Sequence, residues 1–119
     1  MILISLEEDR ESISGRFRKA TNFAFLDEEQ VVIKENPHKT SKSKEFFEYF
    51  NTLNIDTVYL KELGYKTFLK LETLGVEVYF VQETMKYKEI KLNELLRLDV
   101  SNAEELCSLG HHKKVYEKN

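Results

Sequence analysis

Residues 57–81 read TVYLKELGYKTFLKLETLGVEVYFV. Residues 57–60 are β-branched, aromatic or aliphatic in a run of four, the signature of a short buried strand. Gly64 then opens a helical segment in which Tyr65, Phe68, Leu69 and Glu72 fall on successive turns. Gly75 stands where a helix C-terminus wants a residue free to adopt positive φ. Residues 76–81 (VEVYFV) return as a strand. A strand, a helix and a second strand in this span form a crossover unit, and such units join parallel strands with a right-handed connection. The fold class is therefore α/β.

Working outward, the N-terminal side supplies more strands. Residues 1–6 (MILISL) are a short apolar run read as a buried strand. Residues 7–20 are polar, contain Gly15 and read as a long loop. Residues 22–27 (NFAFLD) and 31–35 (VVIKE), separated by the acidic Asp27-Glu28-Glu29 turn, read as a hairpin. Asn36-Pro37 ends it, because proline has no N–H and biases its predecessor toward extended backbone. Phe46, Phe50 and Leu53 then recur at helical spacing, predicting an amphipathic helix over 41–53 with Ser41 or Ser43 as its cap. On the C-terminal side a third helix is expected over 87–98, burying Ile90, Leu95 and Leu98. A short last helix starts at Asp99 or Ser101 and ends at Gly110.

The expected architecture is a three-layer α/β/α sandwich with a five-stranded mixed sheet in the order 3-2-1-4-5, strand 2 antiparallel. Residues 1–110 form a single α/β domain, and 111–119 a flexible tail carrying histidine and lysine.

Composition narrows the function. The chain has 119 residues and a formal net charge of −3. Residues 1–60 hold 8 basic and 11 acidic side chains, and residues 61–119 hold 10 of each. Neither half is polybasic, which argues against nucleic acid as the main partner. No apolar run approaches the roughly 20 residues of a membrane span, and Met1 to Ile4 is too short for a signal peptide. A cytoplasmic protein without membrane attachment is the expectation, and the single cysteine, Cys107, fits it.

The strand order also locates a site. The chain leaves strand 1 toward one side of the sheet while strand 4 lies on the other, a switch point where ligands favour the crevice beyond the carboxyl ends of the strands. Loops 7–20, 35–40, 61–65 and 82–86 share that rim. Two helices begin there, near Ser41 and Tyr65, and helix N-termini favour anions. The loops bring Arg16, Arg18, Lys19, Lys39, Lys61, Lys66 and Lys86 alongside several carboxylates. The rim suits a compact anionic ligand.

Four pieces of sequence, in order, resemble a known family. Ser12-Ile13-Ser14-Gly15-Arg16-Phe17-Arg18-Lys19-Ala20, followed by Phe23, is similar to a Ser-x-His-Phe-Gly-x-Ala stretch before an aromatic strand. Glu35-Asn36-Pro37 resembles a Glu-Asn-Pro ending, Gly64-Tyr65-Lys66 a Gly-Pro-Lys helix opening, and Leu74-Gly75-Val76-Glu77-Val78-Tyr79 an Ala-Gly-Ile-x-Val-Tyr step. Together they resemble the dinitrogenase iron–molybdenum cofactor biosynthesis family, the domain type of NifX and of the NifB C-terminus. The resemblance covers about residues 1–100. It implies a ribonuclease H-like fold and a nitrogenase accessory role. The ligand would be an iron–sulfur or iron–molybdenum-type cluster or its precursor, carried without catalysis, with a cofactor-assembly protein as partner and an oligomer as one possible state. The residues that would hold the cluster are Ser12, Arg16, Phe17, Arg18, Asn36, Gly64 and Lys66. Arg16 stands where the family has His and Arg18 where it has Gly; arginine pairs with a cluster's charge instead of ligating its metal.

The alternatives are a protein-interaction or regulatory module that kept the fold without the cluster, and a metal-handling protein. Cys107, His111 and His112 form a Cys-x3-His-His group whose thiolate and imidazoles are natural ligands for zinc or iron. Catalysis has little support. No nucleophile-elbow motif or phosphate-cradling glycine loop is present, and strand 1 offers no carboxylate for a two-metal centre.

Overall fold

The computed structural model describes residues 1–107 of the chain. Its order is β1 (Ile2–Leu6), β2 (Asn22–Asp27), β3 (Gln30–Glu35), α1 (Ser43–Phe50), β4 (Thr57–Leu60), α2 (Tyr65–Thr73), β5 (Glu77–Val81), β6 (Leu95–Leu98) and α3 (Ala103–Leu106). Two 3-10 turns, Tyr87–Glu89 and Leu92–Glu94, lie between β5 and β6. The strands form one sheet in the order β3-β2-β1-β4-β5-β6. β1 is parallel to β4, and β4 to β5. β2 is antiparallel to both its neighbours, and β6 is antiparallel to β5.

The expected order 3-2-1-4-5 holds, with one strand more. The helix expected over 87–98 is instead two 3-10 turns and the edge strand β6. The sequence shows why. Ile90, Leu95 and Leu98 are spaced by five and three residues, which is not one face of a helix. As a strand, Leu95 joins one apolar cluster and Leu96 and Leu98 the other. Lys, Glu and Leu favour helix intrinsically, but packing on both faces of an edge overrides that preference.

The three-layer expectation is corrected as well. One large cluster joins Leu3, Phe23, Phe25, Val58, Leu60, Val78 and Leu98 of the sheet to Phe46, Phe47 and Phe50 of α1, Phe68 and Leu71 of α2, and Ala103 beside Cys107 at α3. All three helices therefore pack on one face. The topology requires this of the first two. The connections β3–α1–β4 and β4–α2–β5 step across the sheet in the same direction, and right-handed crossovers in one direction fall on one side. The opposite face has no α-helix among the described residues. Ile4, Leu6, Ala24, Tyr59 and Val81 on that side are covered by Ile13 of the first loop and by Met85, Tyr87 and Ile90 of the β5–β6 connection.

Local signals account for the elements. Apolar positions alternate along β1, β2 and β5 because successive side chains face opposite clusters. The N-cap of α1 is Lys42 and not Ser41 or Ser43; the Lys42 N–H donates to Glu45 Oε1 (3.1 Å), while Ser41 Oγ is engaged with His38 Nδ1 (2.8 Å). α2 ends in a Schellman arrangement. Gly75, at φ +78°, donates to Glu72 O (3.0 Å), and Val76 donates to Leu71 O (3.0 Å). Val76 and Leu71 are both buried in the main cluster, which completes the motif.

Candidate functional site

The first loop is built as a platform at the carboxyl end of β1. Ser14 N–H donates to Ser5 O (2.8 Å), and Ser14 O accepts from Lys61 N–H (3.2 Å), so the loop is stitched to the ends of β1 and β4. Residues 11–13 are zipped to 85–87: Ile13 N–H donates to Met85 O (3.0 Å) and Tyr87 N–H to Glu11 O (2.8 Å). Phe17 anchors the next turn. It is 4% exposed and meets Phe46 edge-on with ring centres 5.1 Å apart, and Phe50 at 5.7 Å. Asn36, also buried, clasps that turn from below. Its side-chain N–H groups donate to Arg18 O (2.8 Å) and Ala20 O (3.0 Å), and its Oδ1 accepts from His38 N–H (2.9 Å). Burying Phe17 and fixing the two carbonyls leaves Arg16, Arg18 and Lys19 facing outward.

Two clefts result. The first, of about 290 Å³, is lined by Gly15, Arg16, Phe17, Arg18 and Lys19 on one wall and by Glu62, Leu63, Gly64 and Thr67 on the other. Gly64 is the N-cap of α2, and among the described residues no side chain caps that helix. Its first-turn N–H groups therefore lie at the cleft with the positive end of the helix dipole. The second, of about 380 Å³, is lined by Glu7, Glu8, Ser14, Arg16, Lys19, Thr21 and Lys39. Arg16 and Lys19 belong to both. Among the described residues the first cleft thus has three cations against one carboxylate, the second three against two. Among the described residues, Arg16, Arg18 and Lys19 take part in no ion pair. Other rim lysines are engaged: Lys86 pairs with Glu11 (3.4 Å) and Lys61 donates to Thr84 (3.2 Å).

Of the residues singled out from sequence, Arg16, Phe17, Arg18 and Gly64 come together at the first cleft. Lys66 is exposed on α2 and does not line either cleft. Ser12 is a turn residue: its N–H and hydroxyl both donate to Asp9 (2.8 and 2.6 Å), drawing that carboxyl down to about 2. Asn36 supports the loop from beneath. Thr67, Leu63 and Gly15 line the cleft without having been singled out. Thr67 was legible in principle, since the third residue after a helix-opening glycine shares its end of the helix. Cys107 is fully buried in the main cluster, and His111 and His112 lie outside the described residues. Arg18 does not adopt positive φ, so the loop does not need a glycine there.

The family described as dinitrogenase iron-molybdenum cofactor matches residues 1–93. The chain belongs to that family. The match takes in the arginine loop and the start of α2, which line the first cleft, and Asn36, which supports that loop. Among solved structures the chain is similar to TM1290 from Thermotoga, an NMR structure provisionally assigned as a NifB protein of the DUF35 family. That pair has a TM-score of 0.67 and 18% identity, over 92% of this chain and 97% of that one. It is also similar to the crystal structure of PH0822, with a TM-score of 0.56 and 19% identity, over 65% of this chain and 72% of the other. At these identities the two structures support the fold. None of the curated proteins matches. No helix among the described residues is long and apolar enough to cross a membrane.

Proposed function

We propose that this chain binds an anionic iron–sulfur or iron–molybdenum-type cluster, or its precursor, as cargo in the cleft between the arginine loop and the start of α2. It acts as a carrier in cofactor assembly and does not transform the cluster. The observation that carries this reading is the convergence, in a member of this family, of three unpaired cations and an uncapped helix N-terminus on one cleft.

The side chains limit how the cargo is held. Among the described residues, no cysteine or histidine lines either cleft. His38 Nδ1 is engaged with Ser41, and its ring lies 4.9 Å from that of Tyr49. Among the described residues no three or more His, Cys, Asp or Glu side chains are grouped to hold a metal ion. Guanidinium, ammonium and backbone N–H groups bind anions through charge and hydrogen bonds. The cargo is therefore a cluster whose metals already carry their own ligands, docked through its outer sulfur or oxygen atoms. The clefts' size and their interspersed carboxylates favour such a compact anion over nucleic acid.

The test is retention of cluster under strict anaerobiosis. The purified protein is offered a preformed anionic cluster, and bound iron, sulfide and visible absorption are measured. Stoichiometric retention is expected, weakened about tenfold or more by Arg16→Ala or Arg18→Ala, since each removes a hydrogen bond to a charged group. Substoichiometric iron in the unaltered protein sinks the proposal.

The second reading, an interaction module without cargo, is favoured by arginine at the family's histidine position. Capture of an assembly protein that persists without metal, and is lost with Arg16→Ala, supports it. The Cys107, His111 and His112 group ranks lower for zinc or iron, because Cys107 would have to leave the core to ligate. Unchanged zinc affinity in Cys107→Ala removes that reading.

A further inference from the structure

β3 ends the sheet, and among the described residues nothing pairs with its outer edge. Val31 is 47% exposed and Val32 43%, and the rest of the strand is exposed apart from half-buried Ile33. Edge strands are ordinarily blunted by proline, a bulge, several charges or a covering segment. Here six consecutive pairs join β3 to β2 without interruption, and the strand has no proline and one lysine, Lys34.

The phase of the ladder fixes which groups are bare. Asn36 N–H donates to Thr21 O (3.0 Å), in the same register that pairs Gln30 with Asp27. Hydrogen-bonded and non-bonded pairs alternate along an antiparallel ladder. Gln30, Val32 and Lys34 therefore bond to β2, while Val31, Ile33 and Glu35 aim their N–H and C=O groups away from the sheet. Among the described residues no other segment takes those groups.

We propose that two copies of this chain pair β3 against β3, antiparallel, with the two-fold axis at Val32. The strand's own sequence selects this occupant. Continuous faces require that opposed residues have the same parity. With Val32 on the axis, Val31 lies opposite the partner's Ile33 and Ile33 opposite the partner's Val31, both as hydrogen-bonded pairs of outward groups. Val32 meets its own copy, and Gln30 faces the partner's Lys34. The neighbouring allowed registers centre on Val31 or Ile33, and each sets Val32 against Gln30 or Lys34. Only the Val32-centred register matches every apolar side chain with another. Its one like-charge pairing, Glu29 with the partner's Glu35, sits at the exposed ends, where solvent and salt screen it. The inference does not depend on the cargo reading.

The experiment combines sedimentation with disulfide trapping. Sedimentation equilibrium from micromolar to millimolar protein is expected to show a monomer–dimer equilibrium. Val32→Cys is expected to form a covalent dimer on diamide oxidation, because a non-bonded antiparallel pair brings Cα atoms to about 4.5 Å, within disulfide range. Val31→Cys and Ile33→Cys, opposed by residue 33 and 31 of the partner, are expected to give little. Cys107 is fully buried and serves as the internal background. Ile33→Pro removes an outward N–H without touching the β2 ladder, so loss of the dimer is expected with the monomer's circular dichroism preserved. If that variant fails to fold, Val32→Glu, which opposes two carboxylates on the axis, is expected to give the same loss. A protein that stays monomeric to millimolar concentration overturns the proposal. So does a dimer that survives both substitutions, or trapping that favours position 31 or 33.

Discussion

At the residue scale, the shape of the candidate cleft depends on side chains that do not line it. Asn36 shows this most clearly. Its amide satisfies two loop carbonyls and orders His38, so Asn36→Ala leaves buried acceptors unpaired. A loss of about 2–3 kcal/mol is expected, measured by urea unfolding. Weaker cargo retention is also expected, because Arg18 sits on the released turn. Asp9 makes a second test. The Ser12 hydroxyl first, then the Ser12 and Glu11 N–H groups, hold its carboxyl at about 2, below its ordinary 3.8. The folded pKa is depressed, so the turn is secured above the ordinary value and loosens as pH falls from near 4 toward 2. The amide shifts of Glu11 and Ser12 in an NMR titration should move together with a midpoint near 2, and Asp9→Asn should abolish that step. In the sequence, Ser12 and Asn36 were legible as belonging to the site region. Their roles were not, because the same polar side chain serves equally to bind a ligand or to satisfy the backbone, and only the placement of its partners decides.

At the scale of elements, the hairpin turn carries a visible strain. β2 and β3 are joined by Glu28 and Glu29, and Glu28 sits at φ 54°. The first position of a two-residue hairpin turn with positive φ is one that glycine occupies without steric penalty. Glu28→Gly should raise stability by about 1 kcal/mol, seen as a higher midpoint in thermal unfolding, with the β3 edge unchanged. The helices follow from periodicity: Phe46, Phe50 and Leu53 place α1, although the helix itself ends at Phe50, and Gly64 and Gly75 bracket α2. β6 escaped because a strand of four residues, apolar on both faces, has no period to read. Its leucines carry the same information in a helix or an edge strand until the neighbouring β5 is in place.

At the scale of the molecule, the two faces differ in how they are closed. One is sealed by helices and by eight buried phenylalanine rings, Phe17, Phe23, Phe25, Phe46, Phe47, Phe50, Phe68 and Phe80. The other is sealed by Ile13 and the β5–β6 connection, whose 3-10 turns bury no residue. Segments with few buried contacts open at lower free energy. Native-state hydrogen exchange should therefore show residues 87–94 exchanging well ahead of β1 and β4, and a uniform rate across both would contradict it. The sheet order was legible because right-handed crossovers leave few choices. The same rule already implied that α1 and α2 share a face, so the two helix–strand units by themselves gave two layers and not three.

The sheet order has a consequence for biosynthesis. Counting from β1, each strand is added to a free edge in the order in which it is made. β2 joins β1, β3 joins β2, β4 takes the other side of β1, and β5 and β6 extend that side in turn. No strand has to be inserted between two already paired. As the chain leaves the ribosome, each new segment meets a finished edge, and nothing earlier must be undone to admit it.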